Sequence, residues 1–158
     1  ASDKKIQKEE FITMDFGAYY EGYVSDITRT IYYGNNITDR HKEIYNTVLE
    51  AQLLGIETIK EGVMSDEVDK VVRNFFNEKG YGKYFGHGLG HGIGAEIHEL
   101  PYLSSASQIE LKENMVVTSE PGLYFDGWGG VRIEDDVVVK KDGREVLNKS
   151  NKELIILS

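Results

Sequence analysis

Phe11-Ile-Thr-Met-Asp-Phe-Gly17 and Gly22-Tyr-Val-Ser-Asp-Ile-Thr-Arg-Thr-Ile-Tyr-Tyr33 are two runs of β-branched and aromatic residues, each with glycine at its inner end. Such runs, separated by a short glycine-bracketed stretch, predict a β-hairpin. Each carries one aspartate, Asp15 and Asp26, and with the turn centred on Tyr20-Glu21 the two stand opposite each other. Like charges directly across a hairpin destabilise it unless something neutralises them. Their neighbours Met14, Phe16, Ser25 and Ile27 carry no charge, so a cation is the economical remedy; an aspartate turned out into water would remove the need for one.

Outward from the hairpin, Ile44, Val48, Ala51, Leu54 and Ile59 have helical spacing, after a capping candidate at Thr38 and before Gly62. A second helix is predicted from Ser65 as N-cap, with Asp66 and Glu67 in its first turn and an apolar stripe of Val68, Val71, Val72, Phe75 and Phe76 before Gly80. Glycines at 82, 86, 88, 90, 92 and 94 exclude a stable helix beyond it and predict a loop or open strand. Met115 to Phe125, Gly130 to Lys140 and Glu145 to Ile156 return to strand-like composition, with a turn at Lys141-Asp-Gly143. With no repeat or linker in view, strands flanking two helices predict one α+β domain.

A chain of 158 residues buries roughly two-thirds of its unfolded surface without staples. It has no cysteine, which excludes disulfide scaffolds, thiol catalysis, Cys-type zinc sites and iron–sulfur clusters. The 18 basic against 27 acidic side chains give a net charge of −9, which disfavours nucleic acid and anionic membrane as partners and favours a cationic ligand. No apolar run reaches the length of a membrane span, and Ala1-Ser-Asp-Lys-Lys does not read as a signal peptide, so the expectation is a soluble, cytoplasmic protein.

His87, His91 and His98 place three of the four histidines within 12 residues, among the glycines. The four-residue gap between the first two suggests a zinc-protease helix, but residue 88 is glycine rather than glutamate. A phosphate loop fails for want of Gly-Lys-Ser/Thr. Alternating glycine lets a backbone lie close to a neighbouring strand or ligand; the plainer alternative is a turn with solvated histidines. Glu120 and Glu134 each sit in otherwise apolar, strand-like sequence, where a charge is costly unless paired or bound to metal, and Arg132 is an obvious ion-pair partner. Together, four carboxylates and one or two imidazoles form a hard, thiolate-free donor set suited to manganese, cobalt or zinc, with charge enough to balance two divalent ions.

The succession Asp15-Phe-Gly17, Tyr23-Val-Ser-Asp-Ile-Thr-Arg-Thr30, Gly86-His-Gly-Leu-Gly-His-Gly-Ile-Gly-Ala-Glu-Ile-His-Glu-Leu-Pro101, Ser119-Glu-Pro-Gly-Leu-Tyr124 and Gly130-Val-Arg-Ile-Glu-Asp-Asp136 closely resembles the pita-bread metallopeptidases, in their Xaa-Pro aminopeptidase and Xaa-Pro dipeptidase (prolidase) branch. The resemblance runs from about Lys5 to the end. It implies a mostly antiparallel, curved sheet with flanking helices, and two divalent metal ions, manganese first and cobalt or zinc next. By the same resemblance Asp15 binds one ion, Asp26 and Glu134 bridge both, and His91 and Glu120 hold the second. His87 and His98 line the substrate site, His98 stabilising the oxyanion; Arg132 organises the substrate or the bridging glutamate, and Thr28 supports a ligand. The implied reaction is attack of a metal-bridging hydroxide on the carbonyl before a proline nitrogen, with Glu120 as proton shuttle.

The family's catalytic domain is longer than this chain. The resemblance therefore implies that residues 1–158 are its C-terminal portion, incomplete at the N-terminus, with upstream helices, a first strand, a further active-site histidine and an N-terminal domain preceding Ala1. It further implies a homo-oligomeric parent, a dimer, that acts on proline-containing peptides, and a piece that is weak or inactive alone. Methionine aminopeptidase shares the fold and ligands, but Gly86-His-Gly-Leu-Gly-His91 and Val131-Arg-Ile-Glu-Asp135 look more like the Xaa-Pro group. A non-catalytic pita-bread binding module is disfavoured by the intact ligand set.

Overall fold

The computed structural model describes residues 3–158, so the Ala1-Ser2 end of the polar opening lies outside the described residues. Strand β1 (Glu10–Phe16) pairs antiparallel with β4 (Ile27–Tyr33), and the tip between them is a small ladder of β2 (Tyr19–Tyr20) against β3 (Tyr23–Val24). The hairpin forms as expected, but its register is two residues away from the expected one. Asp15 stands opposite Thr28, and Tyr20 opposite Tyr23, so the turn centres on Glu21-Gly22 rather than Tyr20-Glu21. Those two residues have φ of +48° and +90°, the pair of positive angles that suits the twist of a two-residue hairpin, and glycine takes the second without strain. A slip of two preserves which face each side chain occupies, so Asp15 and Asp26 are offset along the ribbon rather than separated onto opposite sides.

Helix α1 (Asp39–Thr58) begins as expected: the Thr38 hydroxyl accepts from the His41 amide, and the His41 ring accepts from the Thr38 amide. It ends four residues short of Gly62. Helix α2 (Ser65–Glu78) begins one residue earlier than expected, with Met64 as cap. The Ser65 hydroxyl is the first helical residue's, and it bonds the backbone of Ser107 and Ile109 instead of capping. Its stripe is buried at Val68, Val72 and Phe76 and packs with Val48 and Ala51 of α1 against the sheet. Each such aliphatic side chain removed from water contributes about 1.5–3 kcal/mol.

The sheet under the helices has the order β11-β10-β7-β5-β6, antiparallel throughout, from β5 (Gly90–Gly92), β6 (Glu99–Leu103), β7 (Val116–Ser119), β10 (Asp135–Lys140) and β11 (Gly143–Val146). The glycine-rich segment is thus partly strand. A Cβ on Gly90 would lie 2.1 Å from the Thr118 carbonyl oxygen, and one on Gly92 2.5 Å from that of Leu100, so glycine is what allows β5 between its neighbours.

A ribbon of β8 (Gly122–Phe125) and β9 (Gly129–Arg132), and β12 (Ile156–Leu157) parallel to β4, complete the strands. The expected runs through Glu120 and Glu134 are each broken at the glutamate. There the backbone changes partner, with the Glu120 amide donating to the Leu89 carbonyl and the Glu134 amide to that of Thr28. Both carboxylates therefore sit at strand junctions, not within strands. Likewise β11 stops at Val146, and the polar run that follows bonds through side chains rather than a ladder. No described helix is long and apolar enough to cross a membrane.

Candidate metal centre

These junctions converge. Asp26 precedes β4, His91 is the middle of β5, and Glu134 lies between β9 and β10; all three are buried, and one donor atom from each falls within 4.8 Å of the others. Glu120, just after β7, brings Oε1 to 3.3 Å from His91 Nε2, and Asp26 Oδ2 lies 4.0 Å from the same nitrogen. Asp15 on β1 is about half exposed and ion-pairs with Arg132. Arg132 in turn lies 4.0 Å from Glu120 Oε2 and donates to Thr28 Oγ1 at 3.3 Å. Thr28 donates to Glu134 Oε2 at 2.6 Å. Six of the eight residues singled out in the sequence, together with Thr28, are thus in direct polar contact or close approach; His87 is connected to them through Tyr124, and His98 only through its ring beside His91.

Electrostatics make this a costly arrangement without a cation. Burial, reinforced by the charges of Glu120, Asp26 and Asp15, pushes the Glu134 carboxyl up to about 8 despite the Thr28 hydrogen bond. Asp26 is raised by burial and then by Asp15 and Glu120. Glu134 Oε1 is buried with no hydrogen-bond partner. Burial works against a charged His91, but its bonds to Glu120 and the Gly92 carbonyl leave it above its usual value. Desolvated like charges and an orphaned carboxylate oxygen are what a bound divalent cation would resolve, and the oxygen and imidazole donors fit one.

Two histidines have their tautomers set the same way. His91 Nδ1 lies 3.0 Å from the Gly92 carbonyl, and His87 Nδ1 2.7 Å from that of Gly88. A carbonyl can only accept, so each Nδ1 carries a proton, and in the neutral ring each Nε2 is left as an electron-pair donor. His91 Nε2 faces the carboxylates, whereas His87 Nε2 faces the Tyr124 hydroxyl at 3.0 Å. That hydroxyl accepts from Arg132 Nη1 at 2.9 Å and so has its own proton free for His87.

His87, His91, Tyr102, Glu120, Tyr124 and Arg132 line a cavity of about 360 Å³. Tyr124 was not singled out by sequence reasoning, since a tyrosine in a strand reads as an ordinary strand former; its place four residues after Glu120 was the available signal. His98 is exposed and outside this lining, its ring edge-on to His91 with centroids 4.3 Å apart.

The description of metallopeptidase family M24 matches residues 1–141. The Xaa-Pro dipeptidase of Pyrococcus horikoshii is 48% identical over 155 residues, which are 98% of this chain and 44% of that protein. Among solved structures, the Xaa-Pro dipeptidase from Bacillus anthracis superposes with a TM-score of 0.95 at 58% identity, over 99% of this chain and 44% of that one. The X-Pro aminopeptidase from Thermotoga maritima does so with a TM-score of 0.95 at 46% identity and the same coverage. The chain thus spans 44% of the length of these relatives, and its α+β architecture is the pita-bread fold expected from the sequence.

Proposed function

Since the chain belongs to metallopeptidase family M24, we propose that the protein carrying it releases the N-terminal residue from peptides whose second residue is proline, as an Xaa-Pro aminopeptidase or dipeptidase. The observation that carries this reading is the buried Asp26, His91 and Glu134 cluster, with its unpartnered carboxylate oxygen at the side of an open cavity. Two divalent ions, manganese first and cobalt or zinc next, would be held by Asp15, His91 and Glu120 with Asp26 and Glu134 shared, supplying Lewis acidity and a water acidic enough to act as nucleophile near neutral pH.

The chain's own groups divide the remaining work. Glu120 takes the proton of the attacking water and passes it to the proline nitrogen, a role supported by its reach to both the cavity and His91. His98 donates to the oxygen that becomes negative as the carbonyl is attacked. His87 and Tyr124 hold one wall through their shared hydrogen bond, and Arg132 keeps Tyr124, Thr28 and Asp15 in fixed relation. Proline lacks an N–H and restricts the residue before it, so its peptide bond needs a dedicated site. The net charge of −9 supports a substrate with a free, cationic amino terminus rather than nucleic acid or an anionic membrane.

The test is hydrolysis of Xaa-Pro dipeptides and Xaa-Pro-Xaa tripeptides by the full-length protein in manganese or cobalt, with and without chelator. Metal-dependent release of the first residue is expected. Cleavage of methionyl-alanyl peptides in preference to Xaa-Pro, or metal retention with no cleavage of either, would contradict the proposal.

A further inference from the structure

Asp26 lies outside the strand ladders, and its main chain is held in another way. Its amide donates to Asp136 Oδ2 at 3.1 Å, and its carbonyl accepts from Asn148 Nδ2 at 3.4 Å. Asn148 also takes the Asp136 amide on its Oδ1 at 2.5 Å, while the Leu147 amide donates to the Asp136 carbonyl at 2.9 Å. One half-buried asparagine therefore holds the main chain of both Asp26 and Asp136, the residue whose carboxylate holds Asp26.

A second grip forms beside it. Arg29, almost fully buried, donates from Nη1 to the carbonyls of Thr28 at 2.9 Å and Glu134 at 2.5 Å, and from Nη2 to Asp135 Oδ1 at 2.7 Å. The same guanidinium is fixed by the carbonyls of Ser150 at 3.2 Å and Asn151 at 3.1 Å. Lys152 Nζ completes the far side of Asp135 at 2.7 Å, and its carbonyl is tied to α1 by the Tyr45 hydroxyl at 2.9 Å. Both grips end on the main chain of Asp26, Thr28 and Glu134, and both start in residues 147–152. That segment lies beyond the residues 1–141 that match the family description.

We propose that residues 147–152 are a positioning strap for the metal centre: Asn148 sets the main chain at Asp26, and Lys152, acting through Asp135 and Arg29, sets it at Glu134. This rests on the metal-centre reading above. Carboxylates that repel one another must be held in place before ions arrive, and partners that hold ligands from behind typically change metal affinity by about 10–100-fold when removed. None of these residues lines the cavity, so the strap acts on the ligands and not on the peptide.

The probe is Mn²⁺ alone, its free concentration read by electron paramagnetic resonance, with the full-length protein and its Asn148→Ala, Lys152→Met and Lys152→Arg variants. Binding is measured well below each variant's thermal midpoint, with circular dichroism to show the native fold. Both Asn148→Ala and Lys152→Met are expected to weaken Mn²⁺ binding by about tenfold or more, and Lys152→Arg, which keeps the cation beside Asp135, to recover it to within about twofold. At saturating metal, KM for the peptide should be unchanged. Asn148 is only half-buried, so its truncation leaves the core intact if the lysine variant fails to fold. Unchanged Mn²⁺ affinity in folded Asn148→Ala and Lys152→Met would overturn the strap while leaving the metal centre standing; failure of Lys152→Arg to recover binding would overturn the route through Asp135. Absence of Mn²⁺ binding by the unaltered protein would overturn the metal centre and the strap together.

Discussion

Glu134 and Asp135 are neighbours in the chain and equally shut off from water, at 1% and 0% exposure, yet their surroundings are opposite. Asp135 meets Arg29, Gln52 and Lys152 at 2.7, 2.8 and 2.7 Å. Glu134 turns toward the cluster of carboxylates, takes one hydrogen bond from Thr28, and leaves its other oxygen unpartnered. Successive side chains at the start of a strand point to opposite faces, so one dipeptide supplies a completed structural ion network on one side and an incomplete site on the other. A buried charge with all its partners explains itself; one without them calls for a ligand.

The largest effect is expected on the incomplete side. Glu120→Gln in the full-length protein is expected to lower kcat by about 10²–10⁴, with a smaller change in KM, because it removes a proton shuttle as well as a charge. Steady-state kinetics on an Xaa-Pro peptide at saturating metal would show it, and an unchanged kcat would remove Glu120 from the chemistry. On the completed side, Asp135→Ala leaves Arg29 and Lys152 without their shared carboxylate and should cost about 3–5 kcal/mol of stability, with or without metal. Denaturant unfolding reads this directly; a loss confined to the metal-bound protein would mean that Asp135 belongs to the site and not to the frame. His98→Ala should slow turnover by about 10²–10³ by removing an oxyanion donor. A wild-type kcat in this variant would refute the assignment.

A smaller effect sharpens the contrast without any substrate. Below about pH 4.5 Glu134 is protonated in the folded and unfolded states alike. From there to about 8 the unfolded chain releases a proton that the metal-free folded chain keeps, so this group's contribution makes stability fall as pH rises through that window. Asp136, pushed up to about 6 from 3.8 chiefly by burial, adds in the same direction over a narrower range. Glu134→Gln should flatten the slope and raise the metal-free midpoint near neutral pH. An identical pH profile in the variant would show that Glu134 is not the strained group.

Much of this was legible in the residues themselves, because a carboxylate in apolar sequence is conspicuous. Asp26 and Glu134 stand out among Val, Ile and Thr, and alternating glycine announced the close approach that Gly90 and Gly92 make. The hairpin register differs by two from the expected one because pairing Asp15 with Asp26 centres the turn on Tyr20-Glu21, whereas the backbone takes glycine, Gly22, at the second turn position. Glu120 and Glu134 looked like strand interiors because composition does not show where a ladder changes partner. Tyr124 is marked only by its place four residues after Glu120, and the 147–152 segment carries no sequence signal of its own. A tyrosine, an asparagine and a lysine acquire their roles only from what the fold sets beside them.

On this reading the incomplete side of the Glu134-Asp135 pair holds metal and the completed side does not. Equilibrium dialysis of the metal-free, full-length protein against Mn²⁺, followed by metal analysis, tests it most directly when Glu134→Gln and Asp135→Asn are carried alongside. Two ions per chain are expected in the unaltered protein, two at saturation in Asp135→Asn, and fewer than two in Glu134→Gln. No bound ion in the unaltered protein, or two retained by Glu134→Gln, would contradict it.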